Sequence, residues 1–166
     1  RYRYFLEDWV SGEIFGQWEF DEARLLKSRM LLGVGPRLPF SITEDFSAAV
    51  GVALMLEREI EKDHELNFDD SGEYVLRSSN YLELAFNHED TVGFQVTMFY
   101  QPLVYANKTT RTPWKDHRIL VEPTISLKAT SQLGIKLSYR VALNSAPFPD
   151  VEEKDTALMT SLTFSF

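Results

Sequence analysis

Apolar residues recur at every second position over long stretches of this chain. Between Leu133 and Leu143 the odd-numbered residues are all apolar, whereas the residues between them are small, polar or charged. Successive side chains of a β-strand point to opposite faces, so such a segment has one apolar face and one face of small or charged residues. This pattern predicts a strand, and a second strand that ends at Phe166 repeats it.

The same period of two predicts an all-β fold with about eight long strands, since no segment has a helical period. Arg1–Leu6 is interpreted as the remnant of a preceding strand, and residues 1–166 as a single domain. Prolines lack the N–H group that a ladder requires, so we expect a bulge or strand end at Pro36 and Pro39 and a bulge at Pro123. The predicted strands are Trp9–Phe20, Ser28–Ile42, Phe46–Ile60, Tyr74–Phe86, Val92–Tyr105, Arg118–Thr130, Leu133–Asn144 and a last strand up to Phe166.

The predicted connections between these strands alternate in length. Short turns on one side of the sheet and long loops on the other are typical of outer-membrane barrels, in which the short turns are periplasmic. The short turns are centred near Glu7, Thr43, Glu89 and Ser131, and the longer set near Ala23 (the shortest of that set), Glu65, Thr110 and Pro147. The pattern therefore predicts an antiparallel up-and-down transmembrane β-barrel, with more strands if the N-terminus is truncated.

The composition argues against several classes of protein. The hydrophobic fraction is 44%, but no apolar run approaches the roughly 18 residues of a membrane-spanning helix. The net charge of -8 argues against a nucleic-acid partner, because phosphate binding requires a basic face. The chain has no cysteine and therefore neither a disulfide nor a thiolate metal site. It begins at Arg1, so we expect either that a signal peptide has been removed or that the parent chain is longer.

The non-apolar faces favour a membrane barrel over a soluble barrel or sandwich, although alternation alone leaves both open. These faces are rich in Gly, Ala and Ser, as a narrow interior requires, and their charges have both signs. We expect the charges to pair inside the barrel, because an unpaired buried ion is costly. Glu13, Glu83 and Glu122 are expected to pair with Arg29, Arg118, Lys128, Lys136 or Arg140. Aromatic residues that could form interfacial girdles are Trp9, Trp18, Tyr74, Tyr100, Tyr105 and Trp114.

The C-terminal part of the chain resembles the salt-induced outer-membrane protein family of bacteria. The residues that carry the resemblance are Leu137–Tyr139 at the end of an alternating strand, the loop Pro147–Pro149, Lys154–Thr156, and the terminal Ser165–Phe166. The opening RYRYFLEDW and the segment Leu31–Leu38 are also similar to that family. The resemblance implies an outer-membrane location and a barrel, but it implies no reaction.

Candidate catalytic residues are few. The histidines are His64, His88 and His117, and Ser71 or Ser145 with His64 or His117 could belong to a lipid hydrolase only if their side chains are in contact. No nucleophile motif accompanies them, so we interpret them as solvated loop residues. The acidic loop 61–73 offers oxygen ligands for calcium or magnesium, but its spacing does not match an EF-hand, and a solvated loop is the preferred interpretation. The residues that would supply these oxygen ligands are Asp63, Glu65, Asp69, Asp70 and Glu73.

Together these features predict an integral outer-membrane β-barrel of a Gram-negative bacterium with a structural or envelope-assembly role. We expect no catalytic, cofactor-binding or metal-binding residues, and a non-enzymatic role is favoured. The alternatives are an outer-leaflet lipid-modifying enzyme and a narrow channel on the same barrel. The expected partners are outer-membrane lipid and lipopolysaccharide, with other envelope proteins as further candidates and nucleic acid excluded.

Overall fold

The computed structural model describes residues 1–21, 26–61, 73–89, 91–107, 112–130, 132–147 and 151–164. These residues form one antiparallel sheet of nine strands, in which neighbours in sequence are neighbours in the sheet. Among the described residues, no helix is long and apolar enough to cross a membrane. The strands are β1 (Tyr2–Glu7), β2 (Val10–Asp21), β3 (Leu26–Ser41), β4 (Phe46–Glu61), β5 (Glu73–His88), β6 (Val92–Ala106), β7 (His117–Lys128), β8 (Leu133–Asn144) and β9 (Lys154–Phe164).

The predicted all-β, up-and-down arrangement is confirmed. Strands β2 to β8 begin and end close to the bounds that the alternation predicts, and the short β1 pairs with β2 as a strand remnant would. The strand β1 pairs only with β2, and β9 only with β8, so the sheet formed by the described residues is open. The length alternation is confirmed for three connections: residues 62–72, 107–116 and 145–153 are longer than residues 8–9, 42–45, 89–91 and 129–132, which connect strands at the opposite end. The connection 22–25 is an exception, because it is no longer than 42–45 or 129–132. The end with the four short connections is hereafter the short-turn end, and the opposite end is the long-loop end.

Burial along the strands is the reverse of that in an ordinary globular protein. On β4 the apolar residues at even positions, from Val50 to Leu56, are exposed. The odd positions from Ala49 to Glu57 are buried, including the small Ala53 and the charged Glu57. The two faces predicted from the sequence therefore exist, and the face of small and charged residues is the interior one.

Contacts across the sheet indicate that it is strongly curled. The strands β2 and β5 are three positions apart, which corresponds to about 14 Å between strand axes in a flat sheet with a spacing of about 4.8 Å. Even so, the hydroxyl of Tyr81 on β5 donates a hydrogen bond of 2.7 Å to Glu13 on β2. Arg118 on β7 likewise reaches Glu57 on β4 at 2.8 Å. The interior face, with the small and charged residues, is therefore the concave face of the sheet. The face with the exposed apolar residues is the convex face.

The expected effects of the prolines are wrong. Pro36 and Pro39 lie within β3, and the pairing of β3 with β4 has the same register on both sides of them. The pairing of β3 with β2 continues through Pro36 to Arg37 without a shift. Pro123 pairs with Val96, and the β7–β8 ladder has the same register before and after it, although pairs are missing next to Pro123. The missing N–H groups thus leave local gaps without shifting the register. Register shifts occur instead at Phe5/Glu7, Glu19/Asp21, Leu26/Ser28 and Leu76/Arg77.

Close approach of β3 and β4 depends on Gly35, which lies on the concave face. A Cβ atom at this position would overlap the carbonyl oxygen of Val52 and lie 2.5 Å from the Cα of Ala53. The overlap involves main-chain atoms, so no side-chain rotation can relieve it. We therefore expect Gly35→Ala to lower the free energy of unfolding by about 1–3 kcal/mol, the usual range for overpacking.

Gly12→Ala is the matched control for Gly35→Ala. A Cβ atom at Gly12 would meet only the Tyr4 carbonyl oxygen, at an ordinary 3.9 Å. Urea unfolding of both variants, followed by tryptophan fluorescence, measures the difference. Equal unfolding midpoints for the two variants would contradict the close strand approach at Gly35.

Candidate functional site

A buried carboxylate, Glu57, lies at the centre of the charges on the concave face. Its side chain is fully buried and accepts hydrogen bonds from Arg29 Nη2 at 2.7 Å and Arg118 Nη1 at 2.8 Å. The Nε atom of Arg77 is 3.8 Å from the same carboxylate. The three arginines come from β3, β7 and β5, so the curl of the sheet brings four strands together around one acidic group.

Arg77 is itself fully buried and has a second acidic partner. Its Nη1 atom donates to Asp116 Oδ1 at 2.9 Å and to the carbonyl oxygen of Gln101 at 3.3 Å. Asp116 is buried and directly precedes β7. Glu19 lies 3.4 Å from Arg29 and adds a third carboxylate. The cluster therefore combines three guanidinium groups with three carboxylates, which is the compensation that buried charges require.

A second cluster surrounds Glu13 on β2. Glu13 accepts hydrogen bonds from Arg3 Nε at 2.6 Å and from the Tyr81 hydroxyl at 2.7 Å. The Nε atom of Arg37 is 3.9 Å from Glu13, and its Nη2 atom donates to Glu83 at 3.1 Å. Both clusters lie on the concave face, so ion pairs and hydrogen bonds occupy much of the interior.

The pairing of Glu122 with Arg140 is confirmed, at 2.8 Å between Arg140 Nε and Glu122 Oε2. The other partners differ from those expected. Glu13 and Glu83 pair with Arg3 and Arg37, and Arg29 and Arg118 pair with Glu57. Lys128 and Lys136 form no ion pair in the described part of the chain. The pairs Arg3–Glu13 and Arg29–Glu57 join adjacent strands and depend on the strand register, which alternation does not determine. The contacts of Arg37 with Glu83 and of Arg118 with Glu57 join non-adjacent strands and depend on the curl.

A cavity of about 240 Å³ lies at the long-loop end of the concave face. Its lining includes Gln17 of β2 and Arg29 of β3 together with Arg140 of β8 and Asp155 of β9. Strands near both edges of the sheet thus line one cavity, in agreement with the curl. Arg29 and Arg140 of this lining are already paired with Glu57 and Glu122, so the cavity is an extension of the polar interior.

The predicted candidate catalytic residues are not assembled where the structure describes them. The Ser145 hydroxyl contacts the main chain of Lys115 and His117, and the His117 ring nitrogen Nδ1 lies 2.9 Å from the Lys115 carbonyl oxygen. His88 lies at the short-turn end, 3.5 Å from Asp45. His64, Ser71 and the interior of the acidic loop lie outside the described residues. Among the described residues, no group of three or more His, Cys, Asp or Glu side chains could hold a metal ion.

Comparison with known proteins identifies one family. The family described as "Protein of unknown function, DUF481" matches residues 1–166. No curated protein and no solved structure matches the chain.

The burial of Glu57 predicts a large effect of its removal. Glu57→Ala deprives Arg29, Arg77 and Arg118 of a shared counter-charge inside the sheet, and breaking a buried ion pair costs about 3–5 kcal/mol. We expect a loss of that size in the free energy of unfolding, measured by urea titration.

Glu122→Ala is the control for this prediction. The pair that it breaks is partly exposed, with 46% of Arg140 and 25% of Glu122 accessible, and exposed pairs contribute about 0–1 kcal/mol. A similar loss for both variants would show that burial does not distinguish the two carboxylates.

Proposed function

We propose that this chain, which belongs to the family of proteins of unknown function DUF481, forms a β-barrel that spans the bacterial outer membrane and acts as a structural or envelope-assembly component. The observation that carries the proposal is the reversed burial of the two faces. Charged and small side chains are buried on the concave face, whereas large apolar side chains are exposed on the convex face. Lipid is the environment in which that arrangement is favourable.

The extent of the exposed apolar surface supports a lipid-facing convex face. Monomeric soluble proteins rarely expose apolar patches larger than a few hundred Å². Here apolar side chains are exposed on successive even positions of neighbouring strands. Examples from the middle of the sheet are Leu32, Val34, Val52, Leu54 and Leu56.

Strand length and aromatic placement agree with the dimensions of a bilayer. A tilted strand needs about 9–11 residues to cross the hydrocarbon core, and β3, β4 and β5 each have 16. Trp9, Trp18, Tyr74, Tyr105 and Trp114 are exposed and lie at or near strand ends. Amphipathic aromatic rings are favoured at the two membrane–water interfaces, so these residues fit girdles at the ends of the barrel.

Closure of the sheet is part of the proposal. An open sheet edge is not tolerated in hydrocarbon, because each unpaired backbone group costs several kcal/mol. The curl of the sheet and the cavity shared by β2, β3, β8 and β9 support closure. Ion-pair networks in the interior favour a scaffold over an open pore, and the resemblance to the salt-induced outer-membrane protein family favours the same location.

Electrophoretic mobility of the folded protein tests this location. We expect the protein to fractionate with outer membranes, to require detergent after extraction, and to migrate differently on a gel with and without heating. Folded barrels remain compact in cold detergent, whereas heating unfolds them. A monodisperse monomer that is stable without detergent would contradict the proposal.

Lysine substitutions at two depths in the proposed membrane-spanning region test whether the convex face contacts lipid. Leu54 is 55% exposed and lies in the middle of β4, whereas Val92 begins β6 at the short-turn end. For the protein folded in phospholipid vesicles, we expect Leu54→Lys to cost about 2–4 kcal/mol and Val92→Lys about 0–1 kcal/mol, because the cost of a charge falls towards the interface. In a soluble protein an exposed lysine would be tolerated equally well at both positions, and that result would contradict lipid contact.

A further inference from the structure

Two lysines on the concave face differ from the other basic side chains there. Arg29, Arg37 and Arg118 of this face pair with carboxylates, and Arg1 lies over the aromatic rings of Phe15 and Tyr81. Lys128 on β7 and Lys136 on β8 form no ion pair in the part of the chain that the structure describes. Ser126 pairs with Lys136 and Lys128 with Gly134, so the two lysines are diagonal neighbours on one face. Diagonal neighbours lie about 7–8 Å apart, and like charges at this separation repel each other.

Both lysines line a cavity at the short-turn end of the sheet. Its volume is about 310 Å³, at the lower end of the range of ligand pockets. Asn87, Ser126 and Thr163 supply amide and hydroxyl groups to its lining, and no acidic side chain is present among the lining residues that the structure describes. The cavity therefore combines two ammonium groups with neutral polar groups in a protein whose net charge is -8.

Small residues create the space for this cavity. Asn87, Gly93 and Ser126 occupy one cross-strand row on β5, β6 and β7. A Cβ atom at Gly93 would overlap Ser126 Oγ and lie 2.9 Å from Asn87 Oδ1. Gly93 thus allows the two polar side chains to come together above β6. The row continues to Lys136 on β8, which places the charged residue next to Ser126.

We propose that this cavity binds the phosphate group of a phosphate monoester. A monoester carries a charge of about -1.5 to -2 near neutral pH, which compensates two ammonium groups, whereas a carboxylate compensates one. Lysine binds phosphate as a point charge, and hydroxyl and amide groups complete the contacts. The ligand can be a soluble monoester or a lipid headgroup that carries one, since both present the same group.

Phosphate binding to the detergent-solubilised full chain tests this site. The probes are inorganic phosphate and glycerol 3-phosphate, titrated by calorimetry into the wild type and into the double variant Lys128→Gln/Lys136→Gln. We expect saturable binding to the wild type and at least about tenfold weaker binding to the double variant, because two charge-assisted contacts are lost. Lys154→Gln is the control, since Lys154 is exposed at the long-loop end of β9. We expect this variant to bind the two probes with the affinity of the wild type.

A second measurement makes the test independent of variant folding. Acetylation of the wild-type lysines is followed by mass spectrometry with and without phosphate. We expect phosphate to protect Lys128 and Lys136 and to leave Lys154 reactive. Absence of saturable binding, equal affinity of the folded double variant, or uniform labelling would each overturn the proposal.

The source of the monoester is distinguished by a third probe, a short-chain phosphatidic acid below its micellar concentration. Tighter binding of this lipid than of glycerol 3-phosphate identifies a headgroup ligand. Equal or weaker binding of the lipid identifies a soluble monoester. Both outcomes support a phosphate site if the double variant loses the affinity, and failure of all three probes overturns it.

Discussion

Compensation of buried charge is the constraint on which the rest of this structure depends. With its apolar side chains outward, the sheet has to enclose its charged residues, and Glu57 can be buried only because Arg29, Arg77 and Arg118 converge on it. These partners reside on three other strands. The ion pairs and the curl of the sheet therefore depend on each other: without the curl the charges do not meet, and without the charges the enclosed face is not stable.

Residue size on the concave face determines how tightly the sheet can curl. The concave face of β4 carries the small residues Ala49, Gly51 and Ala53, and β3 contributes Gly35 where it approaches β4 most closely. Where the residues are small, neighbouring strands and side chains approach closely, and long side chains such as Tyr81 cross the interior. An interior filled in this way by side chains suits a rigid scaffold, which connects the packing with the proposed envelope role.

The strands were predictable because the period of two is a local property of the sequence. The pair Glu122–Arg140 was also predictable, since β7 and β8 are adjacent and their faces follow from alternation. The contacts of Glu57 with Arg118 and of Glu13 with Tyr81 were not, because they join strands three positions apart and depend on the curl. Arg77 was missed because Ser78, Ser79 and Asn80 obscure the apolar alternation that would have assigned it to a face.

The central claim is that the convex face contacts lipid. The most direct test measures how accessible spin labels along β4 are to oxygen and to a water-soluble reagent in phospholipid vesicles. The chain has no cysteine, so single cysteines at Val52, Ala53, Leu54, Met55 and Leu56 can each carry a spin label. A lipid-facing convex face predicts strong relaxation by oxygen, which partitions into lipid, at positions 52, 54 and 56, and weak relaxation by any agent at 53 and 55. Strong relaxation at 52, 54 and 56 by a water-soluble nickel chelate would contradict the claim, because it would show that the apolar face meets water.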